Sequence, residues 1–534
     1  MQAHCTQIPY SHTGSFSKLV MDYLDGVEAL KPFYKYAPNL DGIQEAMKAR
    51  GNFAYRDDLV RVLHKQYDGL PVFEPVMRNL ELLLNKNTFT ITTAHQPNIF
   101  TGPLYVIYKI LHVIKLASVL QETFPGKNFI PVFYMGSEDA DLDELNHITV
   151  EGKSYQWMTA QTGAVGRMCI DEPFLQMMND LQGQLGVLPF GNELINLFHK
   201  SYQKGNTIQQ STLHLINELF GKYGLVVLIP DNRDLKKIFE PTILQELETQ
   251  FSHHALEPVK NELGKNYKVQ TAGRELNLFY LLKDKRERIE RVGEIFKVKA
   301  LGLEFSQKEI IEEVKNFPER FSGNVILRGP FQETVLPNIV FIGGGGELAY
   351  WLELGKVFDA MKISYPVLVL RNSFLIMEER HQKVWKQIAF RAEDLFLSKE
   401  ELAKNYVIRL VGEHQLIDME SGMISQVYNK ILEKAKKADE TLAGHVIALK
   451  KKNEKLLRVL EKKMIRAEKR KHDDAIKKIE YLKSSLFPQN SLQERVENFS
   501  GFYARYGSAW IEEILQCSEG LKQSFTLVHQ KKNQ

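Results

Sequence analysis

Residues 88–109, TFTITTAHQPNIFTGPLYVIYK, decide how the chain is read. Residues 88–93 are a β-branched run suited to a strand. His95, Gln96 and Asn98 then make a polar turn, and Thr101-Gly102-Pro103 opens an apolar segment carrying Leu104, Ile107, Ile110, Leu111, Ile114 and Leu116. Apolar residues on so many faces predict a helix buried against a sheet. Strand, loop and helix in this order put the polar turn at the carboxyl end of a strand. There an open α/β sheet holds its ligands, and free amides at the start of the helix favour anions.

Four more short apolar runs read as strands covered on both faces: FIPVFYM (129–135), LVVLIP (225–230), NIVFI (338–342) and YPVLVL (365–370). Each delivers polar or glycine-rich residues at its end. The first runs into GSEDADLDE, the second into Asp231-Asn232-Arg233-Asp234, the third into Gly343-Gly344-Gly345-Gly346-Glu347 and the fourth into Arg371-Asn372. Together these runs predict an α/β fold with a Rossmann-like parallel-sheet core. The core is expected over residues 88–377, preceded by a helical segment over 1–87. Residues 151–222 and 251–323 are too long for simple connections and are expected to be insertions with their own helices.

From residue 378 the chain turns helical and charged. Leu442, Val446, Leu449, Leu456 and Leu460 alternate steps of four and three with Asn453 on the same seam, and Ile424, Val427, Ile431, Ala435 and Ala438 form a second seam. An antiparallel coiled-coil hairpin is expected over 418–441 and 445–486, broken at Gly444 and stopped by Pro488, within a helical domain over 378–487. Residues 488–534 are expected to dock back on the core.

Composition sets bounds. The 534 residues are 44% hydrophobic, enough for a sizeable core, and 69 Lys and Arg against 66 Asp and Glu leave a formal charge of +3, which gives a polyanion partner no support. Basic residues of the hairpin are interrupted by Glu454, Glu461, Glu468, Asp473 and Asp474, so a solvated face is expected there. Cys5, Cys169 and Cys517 lie far apart in no metal-ligand spacing. With no apolar run long enough to span a membrane, they suggest a cytoplasmic protein with no disulfide framework.

The strand ends suggest chemistry. His95 and Gln96 precede the first helix, with a hydroxyl from Thr101, an amide from Gly102 and, about two helical turns on, the amine of Lys109. Glu138, Asp139, Asp141, Asp143 and Glu144 place five carboxylates within seven positions, and burying them requires a cation, a proton or nearby Lys and Arg. Glu138 and Asp139, nearest the strand end, are the candidates for holding Mg2+ or a substrate ammonium. The glycines Gly343, Gly344 and Gly345 let amides approach an oxyanion, with Glu347 and Tyr350 on the helix that follows. Arg328, Gln332 and Glu333, with Arg371 and Asn372, could complete a pocket for carboxylates or phosphates.

The strings TGPLYVIYKI, PVFYMGSEDADLDELNH, GNVILRGPFQE, PNIVFIGGGGELAYWLELGKVF and PVLVLRNSFLIME, in this order and followed by a helical hairpin, resemble the bacillithiol biosynthesis cysteine-adding enzymes of the BshC family. The resemblance implies a Rossmann-like core with connecting insertions, a coiled-coil domain and a homodimer. It also implies a ligase that joins cysteine to the amino group of glucosaminyl-malate. Two departures stand out. Family members can carry Gly-Gln-Gln where this chain has Ala94-His95-Gln96, and Glu-Asp-His-Asp where it has Glu138-Asp139-Ala140-Asp141.

Amide formation from a free carboxylate requires activation, so ATP and Mg2+ are the expected co-reactants. Phosphates are assigned to the Thr101 helix start and the glycine run, the malate carboxylates to Arg371 or Arg328, and the proton of the attacking amine to His95. Two alternatives follow from the residues alone. The strand-loop-helix geometry also suits a nucleotidyltransferase-like enzyme, and the basic hairpin suits a non-enzymatic coiled-coil or nucleic-acid-associated protein.

Overall fold

All five apolar runs form strands, named here β1 (Thr88–His95), β2 (Asn128–Met135), β3 (Val226–Leu228), β4 (Asn338–Gly343) and β5 (Val367–Leu370). In the computed structural model, which describes residues 4–51, 53–271, 273–411 and 417–530, they build one sheet in the order β5-β4-β1-β2-β3. Every neighbour pair is parallel. This is the 3-2-1-4-5 order of a Rossmann sheet, and its direction reverses between β1 and β4, where a crevice opens. The α/β reading of the sequence therefore holds.

The middle strand β1 is rich in threonine yet buried, which works only because its hydroxyls are bonded. Thr90 and Thr92 donate to Asn338 Oδ1 at 3.2 and 2.8 Å, and Thr93 donates to the Ile342 carbonyl at 2.7 Å. Helix α1 (Tyr105–Thr123) follows β1 and is buried along most of its length, as its all-round apolar pattern requires. Helix α2 (Arg233–Thr249) follows β3, helix α3 (Val325–Val335) precedes β4, and helix α4 (Gly345–Glu353) follows it.

Between these units, helices Glu172–Leu185, Gly191–Ser201 and Ile208–Phe220 fill one intervening segment. A small antiparallel sheet of Leu278–Leu281, Arg286–Arg288 and Phe321–Gly323 sits in another.

The chain divides into two compact units, Met1–Ile376 with Leu492–Gln534, and Met377–Ser491. In the first, strand Phe525–Gln530 pairs antiparallel with Cys5–Ile8, and helix Ser508–Cys517 brings Cys517 to Cys5, forming a disulfide with its Cα atoms 6.1 Å apart. The expectation of no disulfide is thus corrected. A separation of 512 residues conceals a neighbourhood that only strand pairing creates. Cys169 is free and exposed.

The second unit contains the hairpin: α5 (Asp418–Ala438), α6 (Leu442–Lys471) and α7 (Asp473–Leu486). Its turn lies at residues 439–441 and not at Gly444, which sits inside α6. Asp439 Oδ1 accepts the amide and hydroxyl of Thr441 at 2.8 and 2.7 Å, so side-chain capping fixes the break. The second arm is itself interrupted at His472. Among the described residues, no helix is long and apolar enough to cross a membrane.

Candidate functional site

The carboxyl ends of all five strands open onto one cavity of about 390 Å3. Ala94, His95 and Gln96 come from β1, Gly136, Glu138 and Asp139 from β2, and Pro230 from β3. Gly344, Gly345, Gly346 and Glu347 come from β4, and Arg371 from β5. Gln96, Glu138 and Gly344, far apart in sequence, therefore face the same space.

His95 is where the parallel ladder stops, so its ring is free to face the cavity. Its Nε2 lies 3.3 Å from the Tyr105 hydroxyl of α1. Burial, and then the positive charges of Lys109, Arg328 and Arg371, hold the imidazole well below its ordinary pKa. It is uncharged at neutral pH. Burial raises Tyr105 to about 12, so its hydroxyl keeps its proton.

Lys109, on the inner face of α1, is buried and donates to the Ala94 carbonyl at 2.9 Å while pairing with Glu347. Burial pulls its pKa down, and the Glu347 carboxylate works against that. Glu347 also accepts the Gly344 amide at 2.8 Å, closing a capping box at the start of α4. One of the amides that the glycine run offers is therefore already taken. Arg328 donates to the Tyr350 hydroxyl, and its charge is reinforced by Tyr350 and Glu347 against the cost of burial.

The carboxylates after β2 are held differently. Glu138 pairs with the buried Lys236 of α2 and accepts from Ser322 Oγ at 3.1 Å. Asp139 accepts from Gln96 Nε2 at 2.7 Å, with Arg286 4.0 Å away. Arg371 is clamped by Glu494 through two bonds of 3.0 and 2.7 Å.

One family model, the N-terminal Rossmann-like domain of the bacillithiol biosynthesis protein BshC, matches residues 1–372, and another, the BshC C-terminal coiled-coil domain, matches residues 374–530. The chain belongs to the BshC family. A Flavobacterium johnsoniae protein named "Putative cysteine ligase BshC" is 38% identical over 98% of this chain and 99% of its own length. One of the same name from Flavobacterium psychrophilum is 38% identical over 98% of each. A Bacillus cereus protein, again so named, is 26% identical over 93% of this chain and 95% of its own.

Within this BshC-family cavity, His95, Gln96, Lys109, Glu138, Asp139, Arg328, Gly344, Gly345, Glu347, Tyr350 and Arg371 meet. The remaining candidates do not line it. Thr101 and Gly102 take left-handed backbone (φ 67° and 66°) and are buried, so α1 starts at Tyr105 and the expected anion-binding helix start at Thr101 does not exist. Any side chain at Gly102 would meet Asn98 Cβ at 2.7 Å, so this glycine serves the turn.

Gln332 is buried and bonded to Glu333 beside Asn338, at the opposite end of β4. Gly343 ends β4, and its carbonyl accepts the Arg371 amide at 2.8 Å. Asn372 is buried, joined to His112, Ser518 and the Glu519 amide. Asp141 is exposed and begins the short helix Leu142–Leu145.

Sequence reasoning missed Tyr105, Lys236, Arg286 and Arg495. Tyr105 lies within the stretch first quoted, one helical turn before Lys109, and that spacing could have flagged it. The other three come from a distant helix, an insertion and the C-terminal return, and carried no local signal.

Proposed function

We propose that the protein is a cysteine ligase that forms an amide between the cysteine carboxylate and the amino group of glucosaminyl-malate. The observation that carries this reading is a single crevice whose cations, Lys109, Arg286, Arg328, Arg371 and Arg495, outnumber its carboxylates Glu138, Asp139 and Glu347. Such a surplus suits substrates that bring several negative groups into one place. Family membership supplies the reaction class.

ATP would activate the cysteine carboxylate as an acyl phosphate or acyl adenylate. The amides of Gly345 and Gly346, with Lys109 behind them, are the donors for its phosphates. Asp139 would face the cysteine ammonium, and Arg328 the malate carboxylates. His95, uncharged at rest, would take the proton of the attacking amine, and bound anions would offset the three cations that depress its basicity.

Mg2+ finds no protein-built cage here. Glu138 is engaged by Lys236 and Asp139 by Gln96, and no three His, Cys, Asp or Glu side chains converge as a metal site among the described residues. No step is therefore routed through a metal. We further propose a homodimer, because Met419, Met423 and Val427 on α5 and Leu456 and Leu460 on α6 leave an apolar stripe uncovered, Met419 at 69% exposure.

Incubating the purified protein with cysteine, glucosaminyl-malate and ATP, with mass spectrometry for the coupled thiol and for ADP or AMP, tests the reading. Formation of the amide only when all three are present is expected. Nucleotide turnover without the sugar malate would favour nucleotidyl transfer, and neither activity would overturn both.

A further inference from the structure

Helix Gln493–Val496 is four residues long, too short to be stable alone. Its surroundings hold it. Gln493 Oε1 accepts the Ile376 amide at 2.9 Å, and Glu494 grips Arg371 and accepts the Phe374 amide at 3.2 Å. Just beyond, the Glu497 carboxylate accepts the amides of Glu151 and Gly152 at 2.8 and 3.2 Å. Asn498 Nδ2 donates to the Phe100 carbonyl at 2.9 Å.

The exception is Arg495. Its side chain is exposed at the cavity wall, and none of the ion pairs or side-chain hydrogen bonds among the described residues involves its guanidinium. Lys109 has Glu347, Arg371 has Glu494, and Arg286 has Asp139 at 4.0 Å. Of the cavity's cations, only Arg328 and Arg495 lack a carboxylate within 4.0 Å among the described residues, and Arg328 is bonded to Tyr350.

A guanidinium whose backbone is already ordered on both sides loses less entropy when it meets an anion, and its planar fork matches a carboxylate or phosphate. We propose that Arg495, with Arg328, recognises a doubly anionic group, the dicarboxylate end of the amine substrate, and thereby sets specificity in this site. The inference rests on the ligase reading. It goes further by assigning substrate choice to a residue outside the strand ends. A phosphate presents the same chemistry, so the test separates the two sources.

Calorimetric titration of the full-length protein, its Arg495→Ala and its Arg495→Lys variants uses three probes: glucosaminyl-malate, its malate dimethyl ester, and ATP. Wild type should prefer the free acid to the ester by about tenfold to a hundredfold, the range for charge-assisted bonds. Arg495→Ala should lose most of that preference and keep its ATP affinity, and Arg495→Lys should recover part. Because the side chain is exposed, the thermal unfolding of both variants should match wild type.

Equal discrimination by wild type and Arg495→Ala overturns the inference. So does a loss confined to ATP, which would make the triphosphate the anion bound. Should wild type fail to bind glucosaminyl-malate at all, the ligase reading falls first and this assignment with it.

Discussion

Replacing Glu494 by alanine should unfold far more than a surface change would. Its carboxylate is fully buried, holds the Arg371 guanidinium (5% exposed) through two bonds and accepts the Phe374 amide. Unit charges about 4 Å apart at an effective dielectric of about 20 attract by roughly 4 kcal/mol. Leaving one partner of a buried pair alone costs about 3–5 kcal/mol, because a stranded charge stays out of water.

Urea unfolding followed by tryptophan fluorescence would report it, since Trp157, Trp351 and Trp510 are all buried in the same unit as the pair. The double replacement Glu494→Leu with Arg371→Met removes both charges and should recover most of the lost stability. Ligase activity should stay abolished, because Arg371 also faces the cavity. A loss below about 1 kcal/mol for Glu494→Ala would place the pair with weak surface ion pairs and refute the reasoning.

Lys109→Met should cut ligase turnover by at least about a hundredfold, as expected for removing a charged donor at a site of developing charge. With that cation gone, the His95 titration followed by NMR should move up towards its ordinary value. Stability should fall in acid. His112 accepts the Asn372 amide at Nδ1 and faces the Gly520 carbonyl through Nε2, and burial, with Arg371 adding to it, pushes its pKa down to about 4.

Because the unfolded imidazole binds its proton first, the stability from His112 is complete above pH 6.5 and is lost as pH drops towards about 4. His112→Gln should flatten that part of the pH–stability curve. Reducing the Cys5–Cys517 bond should add two hydrogens to the intact mass and lower the unfolding midpoint of this unit, and Cys5→Ser should match the reduced protein.

The sheet was legible because each buried strand is a short uninterrupted apolar run that stops abruptly at polar or glycine residues. Its order needed coordinates, since nothing local tells β4 to lie beside β1. The site was legible where a residue leaves a strand end directly, as with His95, Glu138 and Arg371. Proximity in sequence misled where the backbone turns away. Thr101 and Gly102 adopt left-handed conformations before α1 begins, while Asn372, next to Arg371, points to the far side and is spent on His112 and Ser518. The partners that set charge, Lys236 on Glu138 and Glu494 on Arg371, come from sequence separations of about a hundred residues and could not be inferred from spacing.

The return of the chain past residue 492 has a consequence for biosynthesis. A nascent polypeptide that has emerged as far as β5 already possesses all five strands of the parallel sheet, yet Arg371 has no counter-ion and the cavity wall lacks Arg495. The ribosome must translate the whole coiled-coil unit before Glu494 arrives. Prematurely terminated fragments should therefore carry an assembled sheet with a stranded arginine, and be recognisable to proteases by that defect instead of competing for substrate.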